Sequence, residues 1–357
     1  MKLAVTVFAI VIWAMNPSIA TSQDGSTDSL SGQNYSILAV PILGYEPETR
    51  GHIGAVGLLT FNLDDPTEYR SSVAKLKFQY TRNRQVISEV EWDVFFREER
   101  WFTSGNIHFS KYPDLYYGVG PHRSKSAEFS YQSNRFDVGL RLLRGIKKDV
   151  FAGFNTGYTR YSNFKFEEKN ENFPELRESD NLYFGLSFIR DKRNSLLNAT
   201  GGNYFAFDLA HNHSFNSYPS FLLDLRLYKT WYETLVFAGR FILDSRLGNP
   251  PFFNQTFQGG DEWVRGYLLG RYRDRNLTAL QFEFRKHIFW RIGAAVFGGI
   301  SSVTHSIDQL LMEDRKWNGG VGIRFAMDRE NSVNLRLDYA IGERGNRGFY
   351  IAFGESF

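Results

Sequence analysis

Gly259–Arg285, GGDEWVRGYLLGRYRDRNLTALQFEFR, changes character halfway along. Its first half opens on two glycines, sets Arg265 between Val264 and Gly266-Tyr267, and ends in a charged run from Arg271 to Arg275. Its second half alternates strictly. Ala279, Gln281, Glu283 and Arg285 share one parity, and Leu280, Phe282 and Phe284 the other. A period of two means a β-strand, because successive side chains leave opposite faces of the pleat. This strand has a charged face and a face of large apolar groups. In a soluble sandwich the apolar face is core. In a transmembrane barrel it meets lipid, and the charged face lines the lumen. The strand alone fits both.

The flanking chain decides between them. Ser71–Tyr80 sets Lys75, Lys77 and Gln79 against Ala74, Leu76, Phe78 and Tyr80. Val86–Phe96 sets Glu89, Glu91 and Asp93 against Val90, Trp92 and Val94. Leu182–Arg190 sends Leu182, Phe184, Leu186 and Phe188 to one side. Comparable runs recur from Ile37–Tyr45 to Gly348–Phe357, about 16 in all, an even number as bacterial barrels have. Past the N-terminus no apolar run reaches about 18 residues, so no transmembrane helix is expected. A chain with 33 Phe and 19 Tyr yet a mean hydropathy of −0.36 suits a wall that is oily outside and wet inside. The expectation is an all-β, antiparallel transmembrane β-barrel with one long loop. A net charge of +3 gives no case for nucleic acid.

The two ends carry targeting patterns. Lys2 precedes the apolar run Leu3–Met15, and Ser18-Ile19-Ala20 supplies small residues for cleavage. That is a secretory signal peptide. The expected organisation is therefore a signal peptide at 1–20, a flexible periplasmic leader at 21–34 and the barrel at 35–357. The chain has no cysteine, so neither a disulfide framework nor a lipidated cysteine is expected. At the other end Phe349, Ile351, Phe353 and Phe357 share a parity, and Glu355 interrupts that row, as at a membrane interface. Pro41 in the first strand and Gly354 in the last weaken their strands, consistent with a seam between them.

With these residues in place, the chain resembles the BamA/TamA superfamily of outer-membrane barrels, the bacterial surface antigen family. Val264-Arg265-Gly266-Tyr267 resembles its loop signature. Asp191-Lys192-Arg193-Asn194 with Gly201-Gly202 resembles one of its turns, and Phe353-Gly354-Glu355-Ser356-Phe357 its terminal assembly signal. The resemblance implies that the loop between the eleventh and twelfth strands folds back into the lumen. It also implies that Arg265 pairs there with acids of the inner wall. Glu283 matches the first acid. The second usually comes from a Phe-x-Asp-x-Gly run, but here Phe297-Gly298-Gly299-Ile300-Ser301 puts Gly299 in its place. Asp338, which shares its parity with Arg336 and Asn334, is the candidate second partner. Members that insert proteins carry POTRA domains before the barrel. The leader here is too short for one, so a short form lacking POTRA domains is expected.

Three functions stay open. The first is a barrel that assists protein insertion, translocation or outer-membrane assembly with separate partner subunits. The second is a passive or loop-gated pore. The third is a barrel phospholipase, for which Ser214 beside His213 is the candidate, while His211 and His213 put two imidazoles on one strand face. A triad depends on geometry, not adjacency. Two histidines without a third ligand make a poor metal site. No enzyme activity, metal or cofactor is expected. The implied location is the outer membrane of a Gram-negative bacterium. The implied partners are its lipids, the barrel-assembly machinery during biogenesis, and periplasmic or membrane proteins.

Overall fold

The computed structural model describes residues 35–357 except 47–49, 82–84, 123–127, 167–172, 233, 262, 311–313 and 330–331. The expected signal peptide (1–20) and leader (21–34) lie outside the described residues.

Sixteen strands form one antiparallel sheet whose spatial order follows the chain. They are β1 (Tyr35–Glu46), β2 (Arg50–Phe61), β3 (Ser72–Thr81), β4 (Val86–Phe96), β5 (Trp101–Tyr116), β6 (Phe129–Lys147), β7 (Val150–Phe166) and β8 (Ser179–Asp191). β9 (Gly202–His213), β10 (Ser217–Trp231) and β11 (Leu235–Arg246) follow. The wall resumes with β14 (Asn276–Phe289), β15 (Ile292–Thr304), β16 (Lys316–Asp328), β17 (Val333–Gly342) and β18 (Arg347–Phe353). The long loop between β11 and β14 carries its own small hairpin, β12 (Thr256–Gln258) with β13 (Tyr272–Asp274). β14 is thus the twelfth strand of the wall.

The alternation in the sequence is the alternation of the wall. On β8, Leu182, Phe184 and Leu186 are 54%, 59% and 56% exposed, while Asn181, Ser187 and Ile189 are buried. On β14, Leu280 and Phe282 face outward and Gln281, Glu283 and Arg285 are buried. Outward apolar rows of this kind continue over β3, β5, β6, β9 and β16. Soluble monomers do not expose so broad an apolar surface. The chain is an antiparallel transmembrane β-barrel.

The links alternate between two ends. At one end lie short turns such as 97–100, 148–149 and 290–291, and at the other the long loops 117–128, 247–275 and 305–315. Outer-membrane barrels put the short turns in the periplasm. No ladder between β1 and β18 is found among the described residues, but Ser36 Oγ on β1 donates to Asp328 Oδ2 on β16 at 3.1 Å.

The end of the chain departs from the expected strand. β18 stops at Phe353, and Gly354, with a φ of 78°, turns the chain inward. Only glycine takes that conformation without strain. The residues beyond it leave the outer face. Glu355 is inside the lumen, not at the membrane interface, and accepts from Arg324 Nε at 2.7 Å and Asn334 Nδ2 at 2.9 Å. Phe357 packs with Ala199, Tyr228 and Ala238 across the barrel. Parity stops predicting sidedness once a left-handed residue breaks the pleat.

Packing inside the wall is uneven. Near the periplasmic end, Phe95, Phe102, Leu143, Phe151, Ile189 and Ala206 form an inward cluster. Arg70 stacks its guanidinium on Phe95 at 4.4 Å and hydrogen-bonds Glu99. Toward the other end, Tyr116, Tyr131, Leu176, Phe252 and Phe253 bury the base of the loops.

Candidate functional site: an arginine clamp in the lumen

The loop 247–275 enters the lumen and is held there from its tip. Within it, Gly259 and Gly260 have φ values of 115° and 80°. A Cβ on Gly259 would lie 2.1 Å from the Leu268 carbonyl oxygen, so the returning strand of the loop closes on bare backbone. Val264 is fully buried against Ile242, Tyr272, Leu277, Ala279 and Val303. That apolar seat fixes the residue before the arginine.

Arg265 is 1% exposed. Its Nη2 donates to Glu283 Oε2 at 2.5 Å and its Nη1 to Asp338 Oδ2. The guanidinium carbon lies over the Phe297 ring, 3.5 Å from the centroid. Phe297 is the residue across the ladder from Glu283. One cation is therefore held by two carboxylates and an aromatic ring.

The pairing extends into a cluster. Arg324 reaches Glu283 Oε1 at 3.0 Å, Glu355 Oε2 at 2.7 Å and Asp338. Arg336 grips Asp261 of the loop with both terminal nitrogens at 2.7 Å and touches Asp338 at 2.8 Å. Arg285 donates to Glu283 Oε1 at 2.7 Å, and to the backbone oxygens of Ala199 and Phe357 at 3.2 and 2.9 Å. Four arginines (265, 285, 324, 336) thus face four carboxylates (Asp261, Glu283, Asp338, Glu355), so the side-chain charges cancel. Buried ions are tolerable only when paired in this way, and the one donor of Arg265 left without a hydrogen-bond partner is its Nε.

The neighbours of Arg265 complete the anchor. Gly266 has a φ of 100°, and its N–H donates to the Tyr350 hydroxyl on β18 at 2.8 Å. The Tyr267 hydroxyl donates to the Trp317 carbonyl on β16 at 2.6 Å and accepts from the Glu343 N–H at 3.0 Å. Its ring lies on Gly342, where a Cβ would come within 2.5 Å of it. Gly322 likewise leaves room for the Asp338–Arg324 pair, since a Cβ there would sit 1.9 Å from Asp338 Oδ1.

The structure thus brings Val264, Arg265, Gly266 and Tyr267 together with Glu283 and Asp338. Gly299 lies inside the wall opposite Gln281, with Asn318 beside it. Phe353 ends β18 in its ladder with Leu335, whereas Gly354 and Phe357 belong to the inward tail, and that tail joins the clamp through Glu355. Pro41 lies apart, in mid β1 and paired with Ala55. Arg324, Asp261 and Tyr350 were not singled out by the sequence, and Phe297 entered only as the first residue of the run in which an acid is usual. Arg324 did carry a signal: it shares the inward parity of Gly322 on β16. Asp261 carried none, because loops have no period.

The Ser214 group does not assemble. Ser214 Oγ donates to the Asp180 carbonyl, and His213 Nδ1 lies 3.1 Å from Ser217 Oγ. His211 and His213 share the parity of Phe207 and Leu209, which face outward.

A wall that is apolar outside, with its longest loop pinned inside by a buried arginine, defines a loop-plugged transmembrane barrel. The chain belongs to the Omp85 superfamily, whose domain matches residues 70–357. Among solved structures it is similar to BamA from Haemophilus ducreyi lacking POTRA domains 1–3, at 14% identity and a TM-score of 0.51, covering 90% of this chain and 69% of that one. It is also similar to CdiB from Acinetobacter baumannii, at 12% identity and a TM-score of 0.56, covering 89% of this chain. It spans 59% of the CdiB chain. Identities this low establish a shared fold. No protein of curated function matches the sequence. The chain is an Omp85-type barrel of the Gram-negative outer membrane, with outer-membrane lipids around it.

Proposed function

We propose that this barrel assists the insertion or translocation of other proteins at the outer membrane, with separate partner subunits, and that the arginine clamp restrains its wall between events. The observation that carries this reading is the reach of one loop. Arg265 ties it to β14 and β17, Tyr267 to β16 and Gly266 to β18, with Phe297 of β15 beneath. A loop that only narrowed a pore would not need anchors on five consecutive strands. Pro41 within β1 and Gly354 at the end of β18 are then the weak points on either side of a seam. The terminal segment from Phe353 to Phe357 serves recognition by the assembly machinery before it folds inward. No catalytic step is required.

The test is the folding of a small barrel protein into liposomes that contain the purified chain, read by protease protection. Wild type is expected to speed folding over empty liposomes. Arg265→Ala is expected to change that rate while also exposing the loop to protease. Equal rates with and without the chain would sink the proposal.

A loop-gated pore remains the second reading, because Lys75, Lys77, Glu89 and Glu91 line a half-exposed, wettable stretch of the inner wall on β3 and β4. A large steady current from wild type in a planar bilayer would favour it over remodelling.

A further inference from the structure

We propose that the outer face of β5, β6 and β7 holds a binding site for the phosphates of the outer-leaflet glycolipid. Lys111, Gln132, Asn134, Asn163 and Lys165 line a cleft of about 270 Å³ there. The register puts Lys111 beside Asn134, and Gln132 beside Lys165. Lys111 shares its parity with Ile107 and Phe109, and Asn134 with Phe136 and Leu140, all of which are exposed apolar groups. The cleft therefore opens outward, on the membrane side of the wall.

Its height is set by the same strands. Phe109 and Phe136 lie one outward position below Lys111 and Asn134, at the upper edge of the apolar belt. The cleft follows toward the end bearing the long loops. The chain bulges there: Asn163 takes a φ of 54° and the β6–β7 register shifts between Gln132 and Asn134. A bulge re-aims side chains and opens the ladder. Here it gathers three amides between two ammonium groups.

The charge commits the occupant. Both Lys111 and Lys165 are exposed, and neither has a carboxylate partner among the described residues. On the lumenal side of the wall, Lys75 does have one, in Glu91. Two cations with amide donors, set just above an apolar belt, fit a phosphate on a lipid whose acyl chains run down that belt. In this membrane the lipid of the outward leaflet is a phosphorylated glycolipid. Polar lysine heads above apolar stems are the usual interface anchors, and each contributes to attraction by an anionic surface.

The test uses the purified full chain in detergent and native mass spectrometry with bisphosphorylated lipid A or its dephosphorylated form. Wild type should retain the bisphosphorylated form preferentially. Lys111→Glu with Lys165→Glu should bind it at least about thirtyfold more weakly, the scale expected for two lysines at an anionic surface. Lys147→Glu, at the short-turn end of β6, should leave binding unchanged. Each variant is first checked for the heat-dependent gel mobility of a folded barrel. Equal binding of the two lipid forms, or an unaffected double variant, overturns the proposal. So does displacement of the lipid by equimolar inorganic phosphate. A cysteine placed at Lys165 should react with an impermeant maleimide on intact cells. Reaction only after lysis would put the cleft on the wrong side and end the case.

Discussion

The lumen has two unlike flanks built from the same residue types. On β3 and β4, Lys75 lies 4.0 Å from Glu91, and both side chains are about one-third exposed. On β14 and β17, Glu283 and Asp338 are fully buried and each is shared among arginines. The strands alternate alike and the charges face inward alike. What differs is the visitor: a loop and a chain terminus occupy the second flank and exclude water from it. An ion pair in water is worth little, whereas one sealed from water becomes costly to break. Inward charge alone therefore does not separate a channel lining from a clamp.

That contrast can be broken at several points. Arg265→Ala leaves two buried carboxylates short of a cation and should destabilise the barrel most, by about 3–5 kcal/mol. The readouts are the unfolding midpoint in urea and new protease cleavage within 259–275. An unchanged midpoint and an intact loop would show that the loop does not rest on this pair. Next comes Gly342→Ala, whose methyl would drive into the Tyr267 ring. Overpacking of that kind costs about 1–3 kcal/mol, and a compensating Tyr267→Leu should recover part of it. Tyr267→Phe keeps the ring but strands the Trp317 carbonyl and the Glu343 N–H, a loss of about 1–3 kcal/mol by the same measurement. The smallest effect belongs to the other flank. Lys75→Ala should shift stability by no more than about 1 kcal/mol, and 1 M salt should abolish even that shift. If Lys75→Ala matched Arg265→Ala, the two flanks would not differ as described.

The wall was legible because a period of two survives in nearly every strand. The sidedness of Glu283, Arg336 and Asp338 follows from parity once β14 and β17 are recognised. Which inward residues meet is another matter. Arg265 and Asp338 stand 73 residues apart in the chain, and only the path of the loop joins them. The resemblance pointed to an acid on β15 where Gly299 stands, and the contact comes instead from β17, two strands further round. The fate of the C-terminus was hidden for a local reason. One backbone angle at Gly354 converts an outward row into a lumenal tail, and nothing in the alternation of Phe349, Ile351 and Phe353 announces it.

The anchors of Gly266 and Tyr267 have a mechanical consequence. Because one loop is fastened to β14, β16, β17 and β18, these strands cannot slide past one another without tearing it free. If the cylinder ever parts, this section must swing as a single stiff leaf, with the loop travelling on its inner surface like a bolt on a door. The bending would then fall elsewhere, among strands that no such fastening spans.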